Sequence, residues 1–149
     1  MKRIVVVLTL VICAGLTPRI LFGQTYQYPS QERVQELLNQ IEYCKGELRN
    51  TQSQIKEMED NPSDYSLADY KDAEKLVERI KTCIAAGRSE LDSIRREYPG
   101  WFNSPNAVLP YDKLHKITPR SLEAQLKEME RKINQVLDSF ESLPKPKGR

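Results

Sequence analysis

An all-α fold is the class this sequence predicts, with a long antiparallel helical hairpin and a third helix forming a three-helix bundle or an oligomeric coiled coil. Three observations carry the prediction. Apolar residues recur at steps of three and four along three separate segments, the period of one face of a helix. No segment alternates apolar and polar residues at the period of a strand. Two cysteines, Cys44 and Cys83, stand almost symmetrically about a single turn, Asn61-Pro62-Ser63-Asp64.

The first helix begins after Pro29, where Ser30 can accept an N–H of the first turn. Val34, Ile41, Leu48 and Ile55 recur every seven residues, with Leu37, Cys44, Thr51 and Met58 between them. That is a four-heptad seam in which Cys44 fills an inward slot. Asp60-Asn61-Pro62 ends it, because proline disfavours the helical conformation in its predecessor. The second helix opens at Ser66, with Asp69 three residues on as an acidic form of the capping box. Ala73, Val77, Ile80, Ile84, Gly87, Leu91, Ile94 and Tyr98 then alternate steps of four and three, with Leu76 and Cys83 on the edge of the stripe. Pro99-Gly100 stops it. Thr118-Pro119 opens the third, a capping residue followed by proline at the first helical position. Leu122, Leu126, Met129, Ile133, Val136, Phe140 and Leu143 keep the same rhythm.

The ends of the chain carry different signals. Lys2 and Arg3 precede an uncharged run over residues 4–16, the length of a signal-peptide core and short for a bilayer span. Residues 1–23 therefore read as an export signal cleaved before Gln24, with an uncleaved anchor as the alternative. Residues 24–143 form the helical domain, and residues 144–149 a proline-broken, basic tail expected to be disordered. The precursor has a net charge of +2. Without residues 1–23 the body holds 20 basic and 21 acidic residues, a net charge of −1. A near-neutral body gives no electrostatic reason to expect nucleic acid or an anionic membrane as partner. With the signal removed, no stable membrane span remains, and the expected location is periplasmic or extracellular.

Export places the cysteines in an oxidising compartment. Cys44 lies 15 residues before Glu59 and Cys83 lies 16 residues after Leu67, so flanking helices bring both thiols to the same height. A disulfide between them is the expectation, with two free buried thiols as the alternative. Chemistry is sparse elsewhere. His115 is the only histidine, and no cysteine or carboxylate spacing completes a metal or nucleophile–histidine site around it. No glycine loop suited to a phosphate occurs. A non-enzymatic protein with no cofactor and no metal is expected.

The connection over residues 98–116 is the surface candidate. It gathers Tyr98, Trp101, Phe102 and Tyr111 with Pro99, Pro105 and Pro110. Long connections are often functional, and rigid rings bury contact area at small entropic cost. Those four aromatic residues are candidate partner contacts; the alternative is that Trp101 and Phe102 plug an open end of the helices. Tyr26 and Tyr28 form a second aromatic pair ahead of the first helix.

The order of parts resembles the conjugal-transfer TrbJ family, exported minor-pilus proteins of type IV secretion systems. The resemblance lies in an export signal and a Gln-bearing amphipathic helix containing Leu37-Leu38-Asn39-Gln40-Ile41. A short turn with Tyr65-Ser66-Leu67 follows, then a long helix ending in Ile94-Arg95-Arg96-Glu97-Tyr98-Pro99-Gly100. It covers residues 24–102; the third helix has no assured counterpart there, and paired cysteines are not a general hallmark of the family. It implies a non-enzymatic component at or near a pilus tip, contacting other subunits or a recipient surface, with homo-oligomers in scope. The competing reading is a periplasmic helical-hairpin chaperone, which exposes apolar surface to unfolded clients, or a structural envelope protein.

Overall fold

The computed structural model describes residues 27–144. The export signal expected over residues 1–23, Tyr26, and the tail beyond Pro144 lie outside the described residues. Four helices account for most of the rest: α1 (Gln31–Asp60), α2 (Leu67–Glu97), a one-turn α3 (Pro99–Phe102) and α4 (Pro119–Ser142). Two 3-10 turns, Pro62–Asp64 and Asp112–Leu114, complete the chain, and no strand occurs among the described residues.

Local chemistry sets the boundaries. The Ser30 hydroxyl accepts from the Arg33 N–H at 3.3 Å. Ser66 and Asp69 form a complete capping box, with the Ser66 N–H donating to the Asp69 carboxylate at 2.7 Å. These bonds hold the Asp69 carboxyl below its ordinary range, the Ser66 hydroxyl being the largest cause. Thr118 and Ser121 form a second box: the Thr118 N–H donates to the Ser121 hydroxyl at 2.9 Å, and the Ser121 N–H donates to the Thr118 hydroxyl at 3.1 Å. The serine at this position replaces the acidic residue a capping box usually carries.

Each long helix packs against the other two. α1 and α4 run in the same direction and α2 runs opposite to both. The periodic residues meet along the axis: Val34, Leu37, Ile41, Leu48, Ile55 and Met58 from α1, Val77, Ile80, Ile84, Leu91 and Ile94 from α2, and Leu122, Leu126, Met129, Ile133 and Val136 from α4 are all buried. Thr51 holds a buried α1 slot, and no buried side-chain nitrogen or oxygen among the described residues lacks a hydrogen-bond partner. Gly87 faces α4 at close range, where a Cβ would meet the Leu126 Cδ2 at 3.2 Å.

Cys44 and Cys83 are joined as a disulfide with a Cα–Cα separation of 6.1 Å, at the height their distances from the turn predict. It closes a span of 39 residues and fixes α1 to α2 midway along their length. Cys44 is buried, and Cys83 stands at the edge of the seam, where its carbonyl accepts from the Gln40 side-chain amide at 3.2 Å.

Candidate functional site

The α2 C-terminus begins the candidate region. The Tyr98 N–H closes the last turn on the Ile94 carbonyl at 2.8 Å, and Pro99 then starts the single turn α3. Residues 98–116 are thus not a continuous loop, as the sequence leads one to expect. They contain α3 and a 3-10 turn, each too short to carry a legible apolar period.

Trp101, the largest side chain in the core, is completely buried. Its indole N–H donates to the Ala107 carbonyl at 3.1 Å, so the ring both fills the end of the helix cluster and pins the segment that follows. Phe102 stands edge-on to it, with ring centroids 5.3 Å apart and planes at 79°. The Arg95 guanidinium lies over Phe102, 5.1 Å from the ring centroid, and is also paired with Glu123 of α4. Leu109 and Leu114 are buried behind this layer. The Tyr111 hydroxyl donates to the Pro29 carbonyl at 2.9 Å, tying the connection to the segment that enters α1. The Arg120 N–H bonds the Pro105 carbonyl at 3.2 Å, tying it to the start of α4.

The four aromatic residues therefore come together but do not share one role. Trp101 is a plug: with its side chain inaccessible, it is not carried forward as a direct contact. Tyr98, Phe102 and Tyr111 are half-buried and pack against the core from outside. What the region presents outward is Val108, 55% exposed, with Pro105, Asn106 and Pro110 around it. Val108 carried no signal in the sequence, because the run Ala107-Val108-Leu109 is too short to show by its period which residue faces outward.

A second feature missed from the sequence stitches α1 to α2 near this end. Arg33 donates from Nε to Glu90 at 2.6 Å, from Nη1 and Nη2 to the Glu97 carboxylate at 2.5 and 3.0 Å, and from Nη2 to the Ser93 hydroxyl at 3.0 Å. Glu97 and then Glu90 hold the Arg33 guanidinium firmly protonated, and Arg33 with Ser93 keeps the Glu97 carboxyl below its ordinary range. The available sequence signal was the seven-residue spacing of Glu90 and Glu97, which places both on one face of α2.

His115 is exposed, with its Nδ1 2.5 Å from the Asp112 carbonyl oxygen. Among the described residues no group of three or more histidine, cysteine or carboxylate side chains is placed to hold a metal ion. Nor is any helix among them long and apolar enough to cross a membrane. No family model, characterised protein or solved structure matches the chain.

Proposed function

We propose that the protein is an exported, non-enzymatic interaction module: a disulfide-stapled three-helix bundle that offers a preformed contact surface at one end. The single observation that carries this reading is the Cys44–Cys83 bond. A crosslink midway along helices of 30 and 31 residues is chemistry of an oxidising compartment, and it agrees with the export signal read from residues 1–23. Rigidity at the aromatic end supports the rest. Tyr111 and Arg120 fasten residues 98–116 to the entry of α1 and the start of α4, and the Trp101–Ala107 bond braces the segment internally, so Val108 and its neighbours are held in place before any partner arrives. Preorganisation of that kind lowers the ordering cost of binding.

The resemblance to the TrbJ family gives the assembly this module would serve, a minor-pilus or adhesion component of type IV secretion, with other envelope subunits or a cell surface as partner. The chaperone reading has less behind it. Among the described residues the large exposed apolar side chains are Tyr43, Leu67 and Val108, which lie on α1, at the start of α2 and on the connection. Single apolar residues on separate elements do not make a client-holding surface.

Intact mass of the protein recovered from the periplasm or medium, with thiol alkylation before and after reduction, tests the proposal. Cleavage near Gln24 and alkylation only after reduction are expected. A full-length mass with all three thiols, Cys13 included, open to alkylation before reduction would remove the premise and leave a cytoplasmic or anchored helical scaffold.

A further inference from the structure

The outer face of α4 is bordered by two grooves that together gather four cations without an ion-pair partner among the described residues. On its α1 side an open groove of about 400 Å³ is lined by Lys45, Arg49, Glu128 and Lys132 among others. On its α2 side a second groove, of about 530 Å³, is lined by Arg88, Arg120, Glu123, Lys127 and Glu130. Ala124 belongs to both, so the two grooves meet over the smallest side chain on that face. Of the carboxylates, Glu123 is taken up by Arg95, and Glu128 by Arg131 and Lys132. Arg49, Arg88, Arg120 and Lys127 have no ion-pair partner among the described residues, against one unpaired carboxylate, Glu130. Ala124, Arg49, Arg120 and Lys127 are exposed, and Arg88 is half-buried at the α2–α4 seam.

We propose that this face is a docking surface for an Asp/Glu-rich segment of a partner protein, which crosses α4 at Ala124 and lays carboxylates into the grooves on either side. Charge complementarity carries the assignment. Three of the four unpaired cations are arginines, whose planar fork matches a carboxylate in two parallel hydrogen bonds. No aromatic ring lines either groove, so the face lacks the stacking platform on which single-stranded nucleic acids are held. The helix spacing fits as well: Arg120, Ala124 and Lys127 lie at i, i+4 and i+7, on one line along α4. Val108 lines neither groove, so this surface is not the one proposed at the aromatic end.

The test is fluorescence anisotropy of a labelled polyglutamate peptide against the oxidised protein at low and at physiological ionic strength. Binding that weakens with salt is expected. The triple variant Arg88→Gln/Arg120→Gln/Lys127→Gln should bind about tenfold more weakly while keeping the wild-type circular dichroism and melting curve. A charge-matched variant on the other side of α2, Lys71→Gln/Lys75→Gln/Arg79→Gln, should bind like the wild type. No binding at low salt, or equal weakening by both triple variants, would overturn the proposal. An oligothymidylate or sulfated dextran that binds this face more tightly than polyglutamate does would overturn the assignment to a protein partner.

Discussion

The α1–α2 pair and α4 are built from the same apolar rhythm but are held by different means. α1 and α2 share a short turn, a disulfide and the four-way hydrogen bonding of Arg33. α4 follows α2 through residues 98–118 and is fixed by its buried stripe, its capping box and two cross-helix polar contacts, Arg95 to Glu123 and Lys45 to Gln125. Its far end adds one bond, from the Tyr70 hydroxyl to the Pro144 carbonyl at 3.0 Å. Equal burial thus does not mean equal security. The hairpin is constrained in the unfolded chain as well as the folded one, whereas α4 has packing and a few polar contacts but no covalent tie to the hairpin, and elements held in that way are the first to open.

The largest expected effect breaks the hairpin itself. Ile80→Asp puts an unpaired carboxylate at a side chain 1% exposed in the middle of α2, and the expected outcome is loss of the folded state, read as collapse of helicity at 25 °C. A folded protein with native helicity would show that the hairpin does not depend on that seam. Trp101→Ala comes next. It removes the largest core side chain together with the bond to Ala107, at a cost of about 3–5 kcal/mol by denaturant titration. Release of the connection should loosen α4 before α1 and α2, and hydrogen exchange resolved by helix would show it. The disulfide then sharpens the contrast. For a span of 39 residues the chain-entropy model gives about 4 kcal/mol. The double variant Cys44→Ser/Cys83→Ser is therefore expected to lower the melting temperature and bring exchange in α1 and α2 down to the level of α4. Unchanged melting under oxidising conditions would show that the crosslink adds nothing.

The helices were legible because each stripe is long and each boundary has its own chemical mark. Ser30, Ser66-Asp69 and Thr118-Pro119 open the three helices where their capping chemistry says they should, and Pro62 and Pro99 stand just past the ends of the first two. The cysteine pairing was legible for the same reason, since two helices of known start and direction fix the height of every residue along them. Residues 98–116 were not. Trp101 plugs the end because a four-residue turn aims it inward, and four residues carry no period from which to read that direction. The cationic face was hidden differently. Arg88 and Arg120 are neighbours only after α2 and α4 pack, and a net charge read from the sequence does not show which charges are already paired.

Acid should reveal the smallest difference between the two regions. The Glu97 carboxyl is held below its ordinary value by hydrogen bonds from Arg33 and Ser93, and Glu128 is pushed down to about 2 by Arg131, with Lys132 adding to it. A carboxylate depressed in the folded state stabilises above its unfolded pKa, and that stabilisation is lost as pH falls through the folded value. Both contributions are therefore complete at neutral pH and disappear below about 4.5, over a window that reaches down to about 2 for Glu128. Arg33 is protonated throughout and adds no slope there. Both carboxylates are about half exposed, so water and salt screen them and the slopes should be shallow. Their locations differ, however. Glu97 bridges α2 to α1, while the Glu128 pairs lie wholly within α4. Glu97→Gln should flatten the acid limb of the global unfolding curve, and Glu128→Gln should alter only local exchange in α4. The reverse pattern, with Glu128 governing the global curve, would mean that α4 and not the stapled hairpin sets the stability of the fold.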